Sequence, residues 1–209
     1  MRHLTLILVA AVIAAPLACK RSETVISDKN PPPSAKAEQT ASAAPVVPEP
    51  RDVIMTKKTV AEALTVARPH MVDEFDKSSQ GTVLLGAWAA KHLQWRDVVV
   101  AKDETSHARV QKDVLNELGK RLCTRGTIVQ INTVRIAEGT IYVGLLANNA
   151  MNLFHFAAAR STGDLVQSSG ARFCGIVTGR YDYKNSGGGT GHAVDVVGVF
   201  DLPENKTAQ

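Results

Sequence analysis

Along this chain the spacing of apolar positions changes twice. From Thr59 onward the spacing is helical. Thr59-Val60-Ala61-Glu62 matches a capping box, with Val60, Ala63, Leu64 and Ala67 on one face and Pro69 as a stop. A second helix is predicted over Thr82 to Leu93, where Leu85, Trp88, Ala89, His92 and Leu93 recur at i, i+3, i+4 intervals. Arg96 to Ala101, with Val98-Val99-Val100, reads as a short strand. A third helix is predicted from Ser106, with Val110, Val114, Leu115 and Leu118 as its stripe and Gly119 as its end. After Lys120 the pattern becomes that of strands. Five are predicted, at Arg121 to Ile131, Thr140 to Ala147, Leu153 to Ala158, Arg172 to Tyr183 and His192 to Leu202. Gly126 is placed at a bulge in the first of them, and Ala137-Glu138-Gly139 forms a turn after it. Ser161 to Gly170 is polar and irregular, and Pro203 closes the last strand.

Composition changes the picture of the first fifty residues. All 15 glycines lie from Gly81 onward, all aromatic residues from Phe75 onward, and six of nine prolines between Pro31 and Pro50. Ser22 to Pro50 cannot bury enough apolar surface to offset its ordering entropy. It is expected to be an extended, Pro-biased tether, with a Pro-rich recognition segment as the other reading. Ahead of it, Arg2 precedes the mostly apolar run Leu4 to Ala15. That run is shorter than the roughly 20 residues needed to span a bilayer, and suits a secretory signal.

Pro16-Leu17-Ala18-Cys19 resembles the lipobox of bacterial lipoproteins. The resemblance implies a signal peptide over 1–18 and a lipidated Cys19 that opens a 19–50 tether. It makes the membrane a partner through the lipid. Lys20, in the place where a retention signal would carry Asp, implies the outer membrane. Pro16 departs from the preferred Leu, so cleavage by the general signal peptidase and a soluble secreted product is the alternative.

Within the rest, Gly119 to Cys123 with Gly126 and Ile128 are similar to the first strand of a family of small exported OB-fold domains related to the tRNA-anticodon-binding type. Ala171 to Gly175 with Val177-Thr178-Gly179 match its fourth strand, and Val196 to Asp201 its fifth. The resemblance implies a mainly β fold with helices: a helical shoulder over 51–119, a five-stranded OB-like barrel over 120–203 and a tail over 204–209. A helix-flanked open sheet is the alternative. If Cys19 carries lipid, Cys123 and Cys174 remain. An even remainder in an exported chain suggests a disulfide. The first and fourth strands of an OB barrel are neighbours and would bring the two cysteines together. Two free thiols are the other reading.

Candidate chemistry is sparse. Tyr181, Tyr183, Lys184, Gly187, Gly188, Gly189 and His192 frame a glycine-rich connection between the last two strands. Stacking surfaces and approachable backbone make it the expected binding loop, with a mobile hairpin connection as the other reading. From Lys120 to Gln209 nine Lys and Arg face six Asp and Glu. A basic face of Arg125, Arg135, Arg160, Arg172, Arg180 and Lys184 would suit an anionic envelope ligand. His155, between Phe154 and Phe156, is expected at the surface. No hydrolase, nucleotide-loop or metal-ligand motif is present, so no enzyme, metal or cofactor is expected. Nucleic acid is not expected as a partner in an envelope. The reading is a non-enzymatic envelope lipoprotein with an OB-like binding module. The alternative is an assembly lipoprotein that docks a protein partner through its helices.

Overall fold

A computed structural model describes residues 48–99 and 103–207. The signal peptide, Cys19 and nearly all of the tether lie outside the described residues. The described residues belong to one compact unit.

Helices come first. α1 (Pro50–Met55) starts on a proline and buries Ile54. α2 (Val60–Ala67) carries the expected capping box: Thr59 Oγ1 accepts from Glu62 N, and the Glu62 carboxylate accepts from Thr59 N. Arg68–His70 continues it as a 3-10 turn. α3 (Gln80–His92) is capped by Ser79, whose hydroxyl accepts from Thr82 N. Where a strand was expected at Arg96 to Ala101, the chain forms α4 (Trp95–Val99); residues 100 and 101 of that segment are outside the described ones. The reason is local. Asp97 Oδ2 accepts from Gln94 N at 2.9 Å and closes the first turn, while Val98 is fully buried. Capping and tertiary burial outweigh the β preference of three valines. The expected third helix is broken into α5 (His107–Lys112) and α6 (Val114–Glu117). Asp113 leaves helical geometry (φ −155°, ψ 84°) and caps Asn116 N, which turns Leu115 out of the expected stripe to 69% exposure. Gly119 ends this run with φ +81°, a conformation that glycine adopts without a Cβ penalty.

Five strands follow: β1 (Arg121–Ile136), β2 (Gly139–Asn148), β3 (Leu153–Ala158), β4 (Gly170–Lys184) and β5 (Thr190–Phe200). They close into a barrel in the order β1-β2-β3-β5-β4, with β3 and β5 parallel and every other pair antiparallel. This is an OB-like barrel, and β1–β4 pairing sets aside the open sheet. The bulge of β1 lies between Ile128 and Gln130, not at Gly126. Gly126 instead pairs with both Asn148 of β2 and Ala171 of β4, at the point where β1 passes from one neighbour to the other. A Cβ there would stand 2.0 Å from the Ala147 carbonyl oxygen, so close backbone approach is what requires glycine. Cys123 and Cys174 are directly opposed in the β1–β4 ladder, Cα atoms 4.1 Å apart, and form the disulfide. After β5 the chain folds into α7 (Pro203–Thr207). Its Asn205 donates to the carbonyls of Ser161 and Phe200 and accepts from Ser161 N, which docks the end of the chain on the barrel.

Strand alternation builds two cores. Inside the barrel lie Leu122, Ile128, Leu146, Phe154, Phe156, Phe173, Val194, Val196 and Phe200, with Val110 of α5 joining them. The phenyl rings of Phe156, Phe173 and Phe200 meet at 5.1–5.6 Å. The opposite face of the same strands, through Ile141, Ala157, Ile176, Val197 and Val199, packs on Ile54, Ala63, Leu84, Leu85 and Trp88 of the helices. The shoulder is therefore a layer over the barrel's outer face, and it decides what part of that face stays open.

Candidate functional site

The open part is a groove between α3 and the barrel. Thr82, Val83, Gly86 and Ala87 form the helix side; Val134 and Ile136 of β1, Ile141 and Val143 of β2, and His155 and Ala157 of β3 form the other. Lys77 and Ser78 stand at its rim with Tyr181 of β4 and Arg51 of α1. The open groove has a volume of about 280 Å³, near the lower end of small-molecule pockets. Glycine and alanine at 86 and 87 keep the helix low over the sheet; a Cβ on Gly86 would be 3.5 Å from Ile141 Cδ1. A second recess of about 210 Å³, lined by Gln130, Asn132, Gly144 and Leu145, shares Val143, His155 and Tyr181 with the first. His155 and Tyr181 thus stand between an apolar and a more polar hollow.

A buried polar network holds that pair. His155 Nδ1 is 2.8 Å from Asp195 Oδ1, and its ring stacks on Tyr181 at 4.0 Å and 9°. Asp195, 1% exposed, sits opposite His155 in the β3–β5 ladder and beside the β4 bulge between Val177 and Gly179. Its Oδ2 lies 2.9 Å from Thr82 Oγ1, which is also 2.9 Å from Thr178 Oγ1 and 3.0 Å from Ser79 Oγ. A hydroxyl has one proton, and Thr82 directs it to the charged carboxylate oxygen, the stronger of the two acceptors it faces in Asp195 and Thr178. With Asp195 accepting, the neutral imidazole carries its proton on Nδ1 and presents Nε2 as an acceptor. Among the described residues Nε2 has no hydrogen-bond partner, while its residue lines both hollows. Ser78 Oγ is 3.4 Å from Nδ1 too, the nitrogen already taken by Asp195. A nucleophile–base relay needs the serine on the other nitrogen, so this is not a hydrolytic triad. Burial raises the Tyr181 phenol above its ordinary value, helped by the charges of Asp76 and Asp195.

The residues singled out from the sequence are divided by the fold. Tyr181 lines the groove. Tyr183 stacks behind it at 6.1 Å and lies over Gly191, where a Cβ would be 2.4 Å from the ring. His192 Nδ1 meets Asp182 Oδ1 at 2.7 Å, on the exposed end of the β4–β5 hairpin. Lys184, Gly187, Gly188 and Gly189 form an exposed turn whose amides face inward. Asn185 Oδ1 accepts from Gly187 N and Gly189 N, and the Asn185 carbonyl accepts from Gly188 N. Those donors are consumed within the turn. Three of the six residues of the expected basic face are engaged, while Arg125, Arg135 and Lys184 are exposed. Arg172 pairs with Asp201, Arg180 with Asp73, and Arg160 donates to the Leu93 carbonyl. At the groove rim Arg51 is bound by both oxygens of Glu138, at 3.0 and 2.6 Å, and Lys77 pairs with Glu74.

His155, expected at the surface, is instead the polar centre of the groove, its side chain 13% exposed. Period-two alternation correctly turns it away from Phe154 and Phe156, but the outward face of β3 is covered by α3. Asp195, Thr82 and Thr178 were also missed. The available signal was polarity at positions predicted apolar: Asp195 within Ala193 to Phe200, and Thr82 at the start of a helix followed by Gly86-Ala87. Among the described residues no group of three or more His, Cys, Asp or Glu could hold a metal ion.

No family model matches the chain, and no curated protein matches it. Among solved structures, the chain is similar to the crystal structure of a mitochondrial single-stranded DNA binding protein from S. cerevisiae, at 12% identity and a TM-score of 0.28, covering 42% of this chain and 96% of that one. That match corrects the expectation that left nucleic acid out as a partner, because a protein described as binding single-stranded DNA stands among the structures similar to this chain. A likeness at this score carries no argument on what this chain itself binds.

Proposed function

We propose that this chain is a lipid-anchored binding module of the bacterial envelope, whose ligand site is the groove between α3 and the outer face of β1–β3. The observation that carries the site is the His155–Tyr181 pair, fixed by buried Asp195 at the junction of two hollows. Concave, mainly apolar surface with a few oriented polar groups is the usual form of a ligand pocket. In OB folds the face of strands 2 and 3, two of the strands that wall this groove, commonly serves for binding. The glycine-rich turn is left as a connection, since its amides are satisfied within it. The anchor rests on the lipobox resemblance at Cys19 and on membrane-binding physics, which favours more than one acyl chain.

Two experiments test the two halves of the proposal. Labelled palmitate is incorporated into the native chain and not into Cys19→Ala; absence of label in the native chain removes the anchor. Ala87→Leu, which fills the groove beside α3, abolishes binding of any ligand recovered from envelope extract. Retention of that ligand by the variant moves the site elsewhere. Oligothymidylate belongs in the same binding series as the probe for nucleic acid. A protein-docking role has one observation in its favour: Val72, Phe75 and Val83 of the shoulder are each more than half exposed.

A further inference from the structure

Resting on the groove as the ligand site, we infer that it selects a compact, largely apolar molecule bearing one hydrogen-bond donor, such as an aromatic alcohol, and that His155 Nε2 reads that donor. Three observations fix this choice. First, the helix layer leaves a hollow of about 280 Å³ walled mostly by Val, Ile, Ala and Gly side chains, so a compact apolar body fits it. Second, the cations at its rim are already paired, Arg51 with Glu138 and Lys77 with Glu74, so a negative head group finds no unpaired cation there. Third, in the neutral imidazole the polar atom offered to the ligand has a set polarity. Asp195 can only accept, it holds the Nδ1 proton, and Nε2 is left to accept. Thr82 on α3 holds the second oxygen of Asp195 at 2.9 Å, which orients the carboxylate. Tyr181, lying flat on the imidazole at 4.0 Å, blocks ring rotation from the other side. The selection is therefore for a donor and against an acceptor of the same shape. Asp195 is a positioning residue in this scheme, and His155 is the one that touches ligand.

The test uses equilibrium dialysis of the full chain with 2-naphthol, 2-methoxynaphthalene and naphthalene. The preference for 2-naphthol over 2-methoxynaphthalene is expected to be about fivefold to tenfold greater in the native chain than in His155→Leu, the size of one neutral hydrogen bond. His155→Leu still binds naphthalene, which shows that the groove persists. Asp195→Asn lowers the same preference while leaving naphthalene binding in place. Where that variant does not fold, Thr82→Val, which loosens Asp195 without removing it, supplies the same readout. All three probes bind the native chain and are lost from Ala87→Leu. Equal preference in native chain and His155→Leu, with binding still blocked by Ala87→Leu, overturns the donor reading and leaves the groove standing. Failure of every probe to bind, or binding that survives Ala87→Leu, overturns both.

Discussion

Breaking the Cys123–Cys174 bond isolates one term in the stability of the barrel. The two residues are 51 apart in sequence and directly opposed in the β1–β4 ladder. The chain-entropy relation gives a loop of this length about 4 kcal/mol of stabilisation at 25 °C, exerted by constraint on the unfolded chain. That is a large part of the 5–15 kcal/mol typical of a whole domain. For a unit of this size it corresponds to a fall in Tm of roughly 8–16 °C. The assay is urea unfolding of the oxidised chain and of the same chain held reduced, so that no side-chain heavy atom is added or removed. Reduction moves the midpoint down by about 2 M and raises m, because the opened unfolded chain exposes more surface. A Cys123→Ala/Cys174→Ala double variant falls near the reduced form, with a further small loss from the buried Cys174 site. If the two forms differ by less than about 1 kcal/mol, the bond does not act on the unfolded state as argued. A loss with m unchanged refutes the mechanism in a different way, by placing the effect in native packing.

Asp195→Ala leaves His155 Nδ1 and the Thr82 hydroxyl without their acceptor in a site 1% exposed, so denaturant unfolding is expected to show a loss of about 3 kcal/mol. Gly126→Ala meets the Ala147 carbonyl and costs about 2–3 kcal/mol. Gly170→Ala, with nothing within 4 Å of its added methyl, stays within about 0.5 kcal/mol by the same measurement. Arg51 holds the Glu138 carboxyl below its ordinary value, chiefly through their hydrogen bonds. A depressed carboxylate stabilises the fold above its unfolded-state pKa, and that stability is lost as pH falls through the folded value. Thermal melts of the native chain in the acid range therefore fall more steeply than those of Glu138→Gln, and equal slopes would count against the pair.

The site shows why some of this was legible and some was not. The capping box at Thr59, the positive-φ end at Gly119 and the alternation around Phe154 and Phe156 are set by neighbours within a few residues. Each was readable from local spacing. The three valines at 98–100 misled, because a single Asp97–Gln94 contact and burial of Val98 reversed a weak β preference. The glycine-rich turn drew attention because its composition is unusual, yet Asn185 satisfies its amides within five residues. His155, Asp195, Thr82 and Tyr181 come from β3, β5, α3 and β4, and no local pattern marks them as one constellation.

By itself the sequence determined the five strands, the helices α2 and α3 and the cysteines available for pairing, because alternation, capping and turn chemistry act over short separations. Only the tertiary structure decided which face of the barrel stays open. Closure of β1 onto β4 opposes Cys123 to Cys174. Packing of α3 on the outward side chains of β2 and β3 covers part of that face and leaves the groove beside it. The same packing takes a histidine that alternation turns toward solvent and makes it the oriented acceptor of a pocket. That outcome depends on which strands are neighbours, a property fixed by burial and by hydrogen bonds between residues far apart in sequence, such as Thr82 and Asp195, 113 apart.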